Sequence, residues 1–182
     1  MTSERTMPAR GCNVFLIGPM GSGKTAVGKQ LARLLHLQFH DSDAEIEHRT
    51  GVDIPYIFEK EGEAGFRERE REVIDSLTRL QDVIVATGGG AVLRPENREY
   101  LSSRGRVVYL KTGIQQQLER TRHGTRRPLL YTADPERKLR ELMEVRAPLY
   151  ESIATVIVDT DGRQVRAVAE EIVQRLHELS TS

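Results

Sequence analysis

The 182-residue sequence contains a single cysteine, Cys12, and no tryptophan. One cysteine excludes an internal disulfide and any zinc site built from cysteine ligands, which favours a reducing cytoplasm. The 27 basic and 27 acidic residues give a net charge of zero, so charge does not indicate nucleic acid or an acidic membrane as a partner. No apolar run approaches the roughly 18 residues that a membrane-spanning helix needs. We therefore expect a cytoplasmic protein with neither kind of partner.

Length and composition predict one globular domain. Hydrophobic residues make up 38% of the chain, which is enough for one well-buried core at this length. Residues 1–11 are polar, and the apolar segment after them is too short for the core of a signal sequence. The sequence therefore predicts a disordered tail over residues 1–11 and a single domain over residues 12–182.

The most informative stretch runs from Gly18 to Thr25 and reads Gly-Pro-Met-Gly-Ser-Gly-Lys-Thr. It matches the phosphate-binding P-loop, in which glycines let the backbone N–H groups of a tight loop converge on phosphate. Lys24 can then reach the β and γ phosphates of a nucleotide, and the hydroxyl of Thr25 can bind Mg²⁺. A short apolar strand precedes the stretch and a helical pattern follows it, as the motif requires. The alternative is an ordinary glycine turn between a strand and a helix.

Apolar runs and helical spacings alternate along the chain, which predicts a parallel sheet covered by helices on both faces. The predicted strands are residues 13–17, 38–41, 82–86, 106–110 and 155–159. The predicted helices follow the P-loop, cover residues 44–48, begin at 54, and cover 65–80, 95–103, 114–122, 135 to about 148, and 165–179. The fold class is therefore α/β, with three layers around a five-stranded parallel sheet.

Two aspartates, Asp41 and Asp43, stand at the end of the second predicted strand. Alternation along an extended strand would put both carboxylates on the same side. Ligands of open α/β sheets gather at the carboxyl ends of strands, so both side chains are expected to face the mouth of the P-loop. The alternative for Asp43 is a role as the N-cap of the following helix, and the two roles are compatible.

The charged helix at residues 65–80 carries an apolar stripe, and Glu70 falls inside that stripe. A carboxylate that faces a core needs a partner, and Arg67 lies one helical turn before it. We therefore expect Glu70 to orient Arg67. The alternative is an exposed salt bridge that contributes less than about 1 kcal/mol to stability.

The third predicted strand ends in Thr87, followed by Gly88, Gly89 and Gly90. P-loop proteins often place an aspartate at this strand end to hold Mg²⁺. Because Thr87 stands there, Asp41 is the best candidate for the acidic group near the metal. The three glycines would let a ligand approach the backbone closely, and a flexible turn explains them equally well.

Residues 123–132 are basic, contain a glycine and a proline, and show no period. After a phosphate-binding core, such a segment suggests a mobile lid, at about residues 122–134, that brings an arginine to the phosphates. The alternative is an ordinary solvated loop.

Six motifs occur in order along the chain, and together they resemble the shikimate kinase family from about Asn13 to the C-terminal helix. They are Gly18 to Thr25, Asp41-Ser42-Asp43, Gly65-Phe66-Arg67, Gly88-Gly89-Gly90, Arg127-Pro128-Leu129-Leu130 and Arg146-Ala147-Pro148-Leu149-Tyr150. The resemblance implies ATP-dependent phosphorylation of the 3-hydroxyl of shikimate, in the pathway to chorismate and the aromatic amino acids. It also implies the strand order 2-3-1-4-5 and a monomeric P-loop kinase with a lid.

The resemblance further implies a role for each motif. Asp43 contacts the substrate hydroxyls and accepts the reacting proton, while the shikimate carboxylate and backbone contacts come from Arg67, Arg146 and Gly88, Gly89 and Gly90. Asp41 helps to position Mg²⁺ through water, with Thr25 as a direct ligand. The implied nucleotide contacts are Gly21, Ser22, Gly23, Lys24, Thr25, Ala26, Arg120, Arg127 and Gln164.

Two other functions compete with this one. The first is a P-loop kinase with another substrate, such as gluconate or a nucleoside monophosphate. The second is an ATP-binding regulatory module without turnover, against which the joint presence of Lys24, Thr25, Asp43 and Arg127 argues.

Overall fold

The computed structural model describes residues 12–122, 124 and 127–181. The tail predicted over residues 1–11 lies outside the described residues, and so do positions 123, 125 and 126 of the predicted lid. No helix within the described ranges is both long and apolar enough to cross a bilayer.

Five parallel strands form one sheet in the order β2-β3-β1-β4-β5, as the resemblance implied. The strands are β1 (Asn13–Ile17), β2 (Gln38–Asp41), β3 (Val83–Ala86), β4 (Gly105–Lys111) and β5 (Val156–Asp159). The helices are α1 (Lys24–Leu35), α2 (Ser42–Thr50), α3 (Ile54–Thr78), α4 (Pro95–Arg104), α5 (Ile114–Thr121), α6 (Pro135–Ile153) and α7 (Val165–Thr181). Two short 3-10 helices cover Ala91–Leu93 and Pro128–Leu130.

Helices cover both faces of the sheet, which confirms the three-layer α/β prediction. Along β1 the buried side chains alternate between two hydrophobic clusters: Phe15 packs toward α2, α3, α4 and α6, whereas Leu16 packs toward α1 and α7. Because both faces are buried, the central strands are continuously apolar, as expected of a parallel sheet. The carboxyl ends of β1, β2 and β3 therefore open at one edge of the sheet.

The two helices predicted from residue 54 and over residues 65–80 are confirmed, because Gly62 interrupts α3 with a non-helical backbone (φ 70°) and divides it into two helical segments. Two other local predictions were wrong. Helix α6 does not stop near Pro148 but continues to Ile153, because Tyr150 in the turn after the proline is fully buried and its packing outweighs the helix-breaking tendency of proline. The second error concerns the start of α2, which changes the geometry of Asp43 and is described with the site.

Candidate active site

A cleft of about 590 Å³ opens at the carboxyl ends of the central strands, between the P-loop, α3 and the segment after residue 126. Most of the predicted site residues line it: Gly21, Gly23, Lys24, Thr25, Ala26, Asp41, Asp43, Arg67, Gly88, Gly89, Gly90, Arg120, Arg127 and Arg146. Two predicted residues do not. Ser22 is buried within the P-loop, and Gln164 is exposed in the connection between β5 and α7.

The P-loop adopts a backbone that favours glycine. Gly21 and Gly23 have φ angles of 78° and 87°, a region that other residues rarely occupy. No side chain among the described residues caps α1 at Gly23, and its first turn carries no acidic residue. The free N–H groups at this helix start therefore suit an external anion such as phosphate.

Lys24 is folded back onto its own loop. Its Nζ donates hydrogen bonds to the carbonyl oxygens of Gly18 (2.8 Å) and Pro19 (2.7 Å) and to Oγ of Ser22 (3.2 Å). Burial lowers the pKa of Lys24 from 10.5 to about 7, and the carboxylate of Asp43 acts in the opposite direction. A bound phosphate would add negative charge beside this amine and so favour its charged form.

Asp41 joins β2 to α2 and to the P-loop. Its Oδ1 accepts the N–H groups of Asp43 (3.0 Å) and Ala44 (3.2 Å), so Asp41 is the N-cap of α2. Its Oδ2 accepts a 2.7 Å hydrogen bond from Oγ1 of Thr25. Hydroxyl and carboxylate oxygens are the ligands that Mg²⁺ prefers, so this pair fits the metal role implied by the resemblance. Among the described residues, no cluster of three or more His, Cys, Asp or Glu side chains could hold a metal by itself.

Strand alternation was expected to put Asp41 and Asp43 on the same side, and that prediction was wrong. The strand ends at Asp41 and α2 begins at Ser42, so Asp43 is a helical residue. The expected alternative of capping by Asp43 was also wrong, because Asp41 takes the cap. Both carboxylates still line the cleft, since the first turn of α2 starts at its rim.

Asp43 presents a buried, unpartnered oxygen to the cleft. The residue as a whole is half-buried, but its Oδ1 is inaccessible to solvent and has no hydrogen-bond partner among the described residues. The pKa of Asp43 is raised from 3.8 to about 7, first by burial and then by the carboxylates of Glu70 and Asp41, while Lys24 and Arg67 act against the shift. A carboxyl group with a pKa near 7 is suited to accept a proton at neutral pH.

Two of the three glycines after β3 lie tightly against neighbouring side chains. A Cβ on Gly88 would lie 2.8 Å from Oδ1 of Asp43 and 2.8 Å from Oε2 of Glu70, and a Cβ on Gly90 would overlap the guanidinium of Arg67. Close approach of the cleft's own side chains therefore accounts for Gly88 and Gly90.

Arg67 and Glu70 form the predicted pair, and the pair is buried. Nη1 of Arg67 lies 2.7 Å from Oε1 of Glu70, and the two side chains are 10% and 1% exposed, which excludes the exposed salt bridge considered as the alternative. Nε of Arg67 and Oε2 of Glu70 have no partner among the described residues. Burial raises the pKa of Glu70, and Arg67 opposes that shift.

Helix α6 supplies Arg146 from the other side of the cleft. Arg146 is only 3% exposed, and its Nη2 is buried without a hydrogen-bond partner in the described ranges. Burial lowers the pKa of Arg146, and Tyr150, one turn later, acts against that shift. The Tyr150 hydroxyl donates to the carbonyl of Gly89, so this tyrosine ties α6 to the glycine segment. Sequence reasoning gave it no role, although its spacing of four residues from Arg146 was a usable signal.

The segment after residue 126 brings Arg127 to the cleft. Arg127 is half-buried and lines the cavity together with Pro128 and Leu129. Burial lowers its pKa, and the carboxylate of Asp43 has the opposite effect. The structure thus brings Arg127 into the cleft close enough to interact with Asp43, and both its role at the phosphates and the motion of a lid stay predictions.

On the nucleotide side, Nη1 of Arg120 donates a 2.9 Å hydrogen bond to the carbonyl of Gly21, which fixes α5 against the P-loop. Sequence reasoning also missed the apolar wall formed by Ile54, Phe58 and Phe66. The rings of Phe58 and Phe66 lie 4.8 Å apart across the kink in α3, and only the kink brings them together.

Known proteins are similar to this chain in sequence and in structure. A family model described as shikimate kinase matches residues 20–177. A shikimate kinase of Halorhodospira halophila is 58% identical over 163 residues, covering 90% of this chain and 92% of the relative. A solved shikimate kinase of Acinetobacter baumannii, in complex with shikimate, has a TM-score of 0.92 and 47% identity, with 97% of each chain covered. The shikimate kinase of Aquifex aeolicus has a TM-score of 0.82 at 36% identity, covering 92% of this chain and 98% of the other. A gluconokinase of Sinorhizobium meliloti has a TM-score of 0.56 at 20% identity and covers 94% of each chain, which shows a shared fold alone.

Proposed function

This chain belongs to the shikimate kinase family, and we propose that the cleft between its P-loop and α3 is where the reaction takes place. As a member, it phosphorylates shikimate with ATP, giving shikimate 3-phosphate and ADP, in chorismate and aromatic amino acid biosynthesis. The roles of individual residues, the metal and the assembly are the substance of the proposal.

Four buried polar atoms carry the proposal for the substrate. Oδ1 of Asp43, Nε of Arg67, Oε2 of Glu70 and Nη2 of Arg146 all lack a partner among the described residues, and all four side chains line one cleft. Buried polar atoms are normally hydrogen-bonded, so unpaired ones at a cleft indicate a missing ligand. Guanidinium donors beside carboxylate acceptors complement a molecule with one carboxylate and several hydroxyls.

The substrate carboxylate then lies between Arg67 and Arg146, and its ring hydroxyls face Asp43. The backbone of Gly88, Gly89 and Gly90 lies against the substrate, and Tyr150 holds that backbone in place through the carbonyl of Gly89. Glu70 acts through Arg67, whose guanidinium it keeps in one orientation.

ATP binds with its phosphates on the P-loop. The backbone from Gly21 to Ala26 surrounds the phosphates, Lys24 leaves the carbonyls of its own loop to meet them, and Ser22 supports the loop from within. We assign Arg120 and Gln164 to the nucleotide base side. Arg127 meets the transferring phosphoryl group across the cleft from Asp43.

Thr25 and Asp41 would hold the Mg²⁺ that accompanies the nucleotide, Thr25 directly and Asp41 through water, as the resemblance implies. The 2.7 Å contact between their side chains supports this assignment. When bound, the ion neutralises charge on the β and γ phosphates.

In the chemical step, the 3-hydroxyl oxygen of shikimate forms a bond to the γ phosphorus as the bond to the β,γ-bridging oxygen breaks, and ADP leaves. Asp43 receives the hydroxyl proton, for which its raised pKa is suited. Lys24 and Arg127 stabilise the charge that develops on the transferring group and on the departing ADP.

We also propose that residues 12–182 act as one monomeric domain in the cytoplasm, without nucleic acid or membrane as a partner. The two hydrophobic clusters pack against a single sheet, which supports one folding unit.

The test is ADP release by a coupled assay with shikimate, gluconate or a nucleoside monophosphate as acceptor, with and without Mg²⁺. We expect release with shikimate only, and only with the metal. Lys24→Ala should lower kcat at least about 100-fold, whereas Lys29→Ala, an exposed lysine on the same helix, should leave kcat unchanged. ATP binding without shikimate-dependent release would favour the regulatory module, and normal kcat in Lys24→Ala would refute the P-loop assignment.

A further inference from the structure

Arg67 has a second carboxylate partner, Glu63, at the kink of α3. Oε1 of Glu63 lies 3.3 Å from Nη2 of Arg67, whereas Oε1 of Glu70 lies 2.7 Å from Nη1. The two partners differ in burial, because the Glu70 side chain is 1% exposed and the Glu63 side chain 49%. Glu70 is therefore a fixed partner of Arg67, whereas the carboxylate of Glu63 can readily leave Arg67 and be solvated by water.

One donor of the Arg67 guanidinium, Nε, is left for a ligand. This nitrogen is buried and has no hydrogen-bond partner among the described residues. Nε and Nη2 form one edge of the group, and Arg69 uses the same edge to bind both oxygens of Glu61, at 2.8 and 2.7 Å. A substrate carboxylate held by this edge of Arg67 would share Nη2 with Glu63.

Three carboxyl groups interact with the Arg67 guanidinium: Asp43, Glu63 and Glu70. Of the three, only Glu63 is substantially exposed, so it is the one that can turn to water at small cost when the carboxylate of shikimate arrives.

We propose that Glu63 is a competing carboxylate that occupies Nη2 of Arg67 in the empty site and weakens the binding of the shikimate carboxylate. This inference rests on the proposed role of Arg67 as the ligand of that carboxylate. Glu63 touches no reacting group and acts only through Arg67, so it is a positioning residue. Its effect is to give the buried guanidinium a second partner whenever substrate or product has left.

The sign of the effect separates this role from a structural one. If Glu63 competes, its neutralisation strengthens shikimate binding; if Glu63 merely holds Arg67 in place, the same change weakens binding. An exposed ion pair has a small energy, so we expect an affinity change of about two- to fivefold.

The experiment compares Glu63→Gln with Glu61→Gln by calorimetric titration of shikimate, with KM for ATP as a second measurement. Glu61→Gln removes the same charge two residues earlier, from an exposed pair with Arg69. We expect the Kd for shikimate to fall about two- to fivefold in Glu63→Gln only, with KM for ATP unchanged in both. The methyl ester of shikimate, which lacks the charge, should bind to wild type and to Glu63→Gln with the same affinity.

Unchanged or weaker shikimate binding in Glu63→Gln would overturn the inference, and so would an equal gain in both variants. A wild-type protein that does not bind shikimate would overturn the proposed function as well. Normal wild-type binding with no gain in Glu63→Gln would count against the role of Glu63 alone.

Discussion

Oγ1 of Thr25 and Oδ2 of Asp41 lie 2.7 Å apart and share a hydrogen bond, although the residues belong to different elements. Thr25 is in the first turn of α1, and Asp41 ends β2. The contact brings two oxygen atoms to the rim of the P-loop, where we propose that the metal binds. In that proposal it takes the place of the strand-end aspartate that is absent after β3, where the buried Thr87 hydroxyl donates to the carbonyl of Leu16 instead.

Asp41→Asn tests this metal assignment. An asparagine keeps the capping oxygen of α2 but loses the charge, so the Mg²⁺ concentration for half-maximal activity should rise about 10- to 100-fold. The measurement is a Mg²⁺ titration of ADP release at fixed ATP. Asp53→Asn, a change at the exposed N-cap of α3, is the control. An unchanged Mg²⁺ requirement in Asp41→Asn would reduce Asp41 to a cap.

Asp43→Asn tests the base. The change should lower kcat by about 10²- to 10⁴-fold and leave KM for ATP nearly unchanged, because the amide keeps the shape but cannot accept the proton. In wild type, kcat/KM for shikimate should rise with pH through about 7, where Asp43 loses its proton, and the variant should lack this rise. Wild-type kinetics in Asp43→Asn would limit Asp43 to a structural role.

Asp43→Asn should lower activity but raise the stability of the fold at alkaline pH. The pKa of Asp43 is raised from 3.8 to about 7, so the folded state binds the proton more tightly than the unfolded chain does. The stability contributed by this group is fully present below about pH 4 and is lost as pH rises through about 7. Asp43→Asn should therefore melt above wild type at pH 8, and thermal melts across pH should show the gap closing toward pH 4.

Arg127→Ala tests the group opposite Asp43. An arginine at a transferring phosphoryl group contributes about 10³ to 10⁵ in rate, so kcat should fall within that range while KM for shikimate changes little. Arg137→Ala, an exposed arginine on α6 with a side chain 77% exposed, is the control in the same steady-state assay. Unchanged kcat with a raised KM for shikimate would instead place Arg127 on the substrate.

Arg67→Lys tests the proposed binding of the shikimate carboxylate by the guanidinium of Arg67. Lysine cannot reproduce two parallel hydrogen bonds, and hydrogen bonds to charged groups contribute about 1.5–3 kcal/mol each. KM for shikimate should therefore rise about tenfold to a thousandfold, with little change in KM for ATP. Glu70→Gln should give a milder defect of the same kind.

The matched control is Arg69→Lys, because Arg69 lies on the same helix and binds Glu61 with two parallel hydrogen bonds, but at the surface. Shikimate binding measured by calorimetry should be normal in that variant. Wild-type affinity in Arg67→Lys would show that the buried pair does not hold the substrate.

Local sequence was sufficient for features that depend on neighbours along the chain. The P-loop follows from the spacing of its glycines and Lys24, and the pairing of Arg67 with Glu70 follows from one helical turn. Four of the five strands follow from continuous apolar runs, whereas β2 (Gln38–Asp41) is short and mostly polar. The strand order came from resemblance to a family, because hydrophobic periodicity does not specify which parallel strands are adjacent.

Tertiary structure decided what depends on distant segments meeting. Asp43 faces the cleft because α2 begins at Ser42, at the rim of the cleft. Helix α6 continues past Pro148 because Tyr150 is fully buried in the core. The hydroxyl of Tyr150 bonds to Gly89 from 61 residues away, and the guanidinium of Arg67 lies where a Cβ of residue 90 would be. The sequence determined the chemical groups and their local spacing. Only the packing of α3 and α6 around the end of β3 determined which of those groups are buried, unpaired among the described residues and brought to the same cleft.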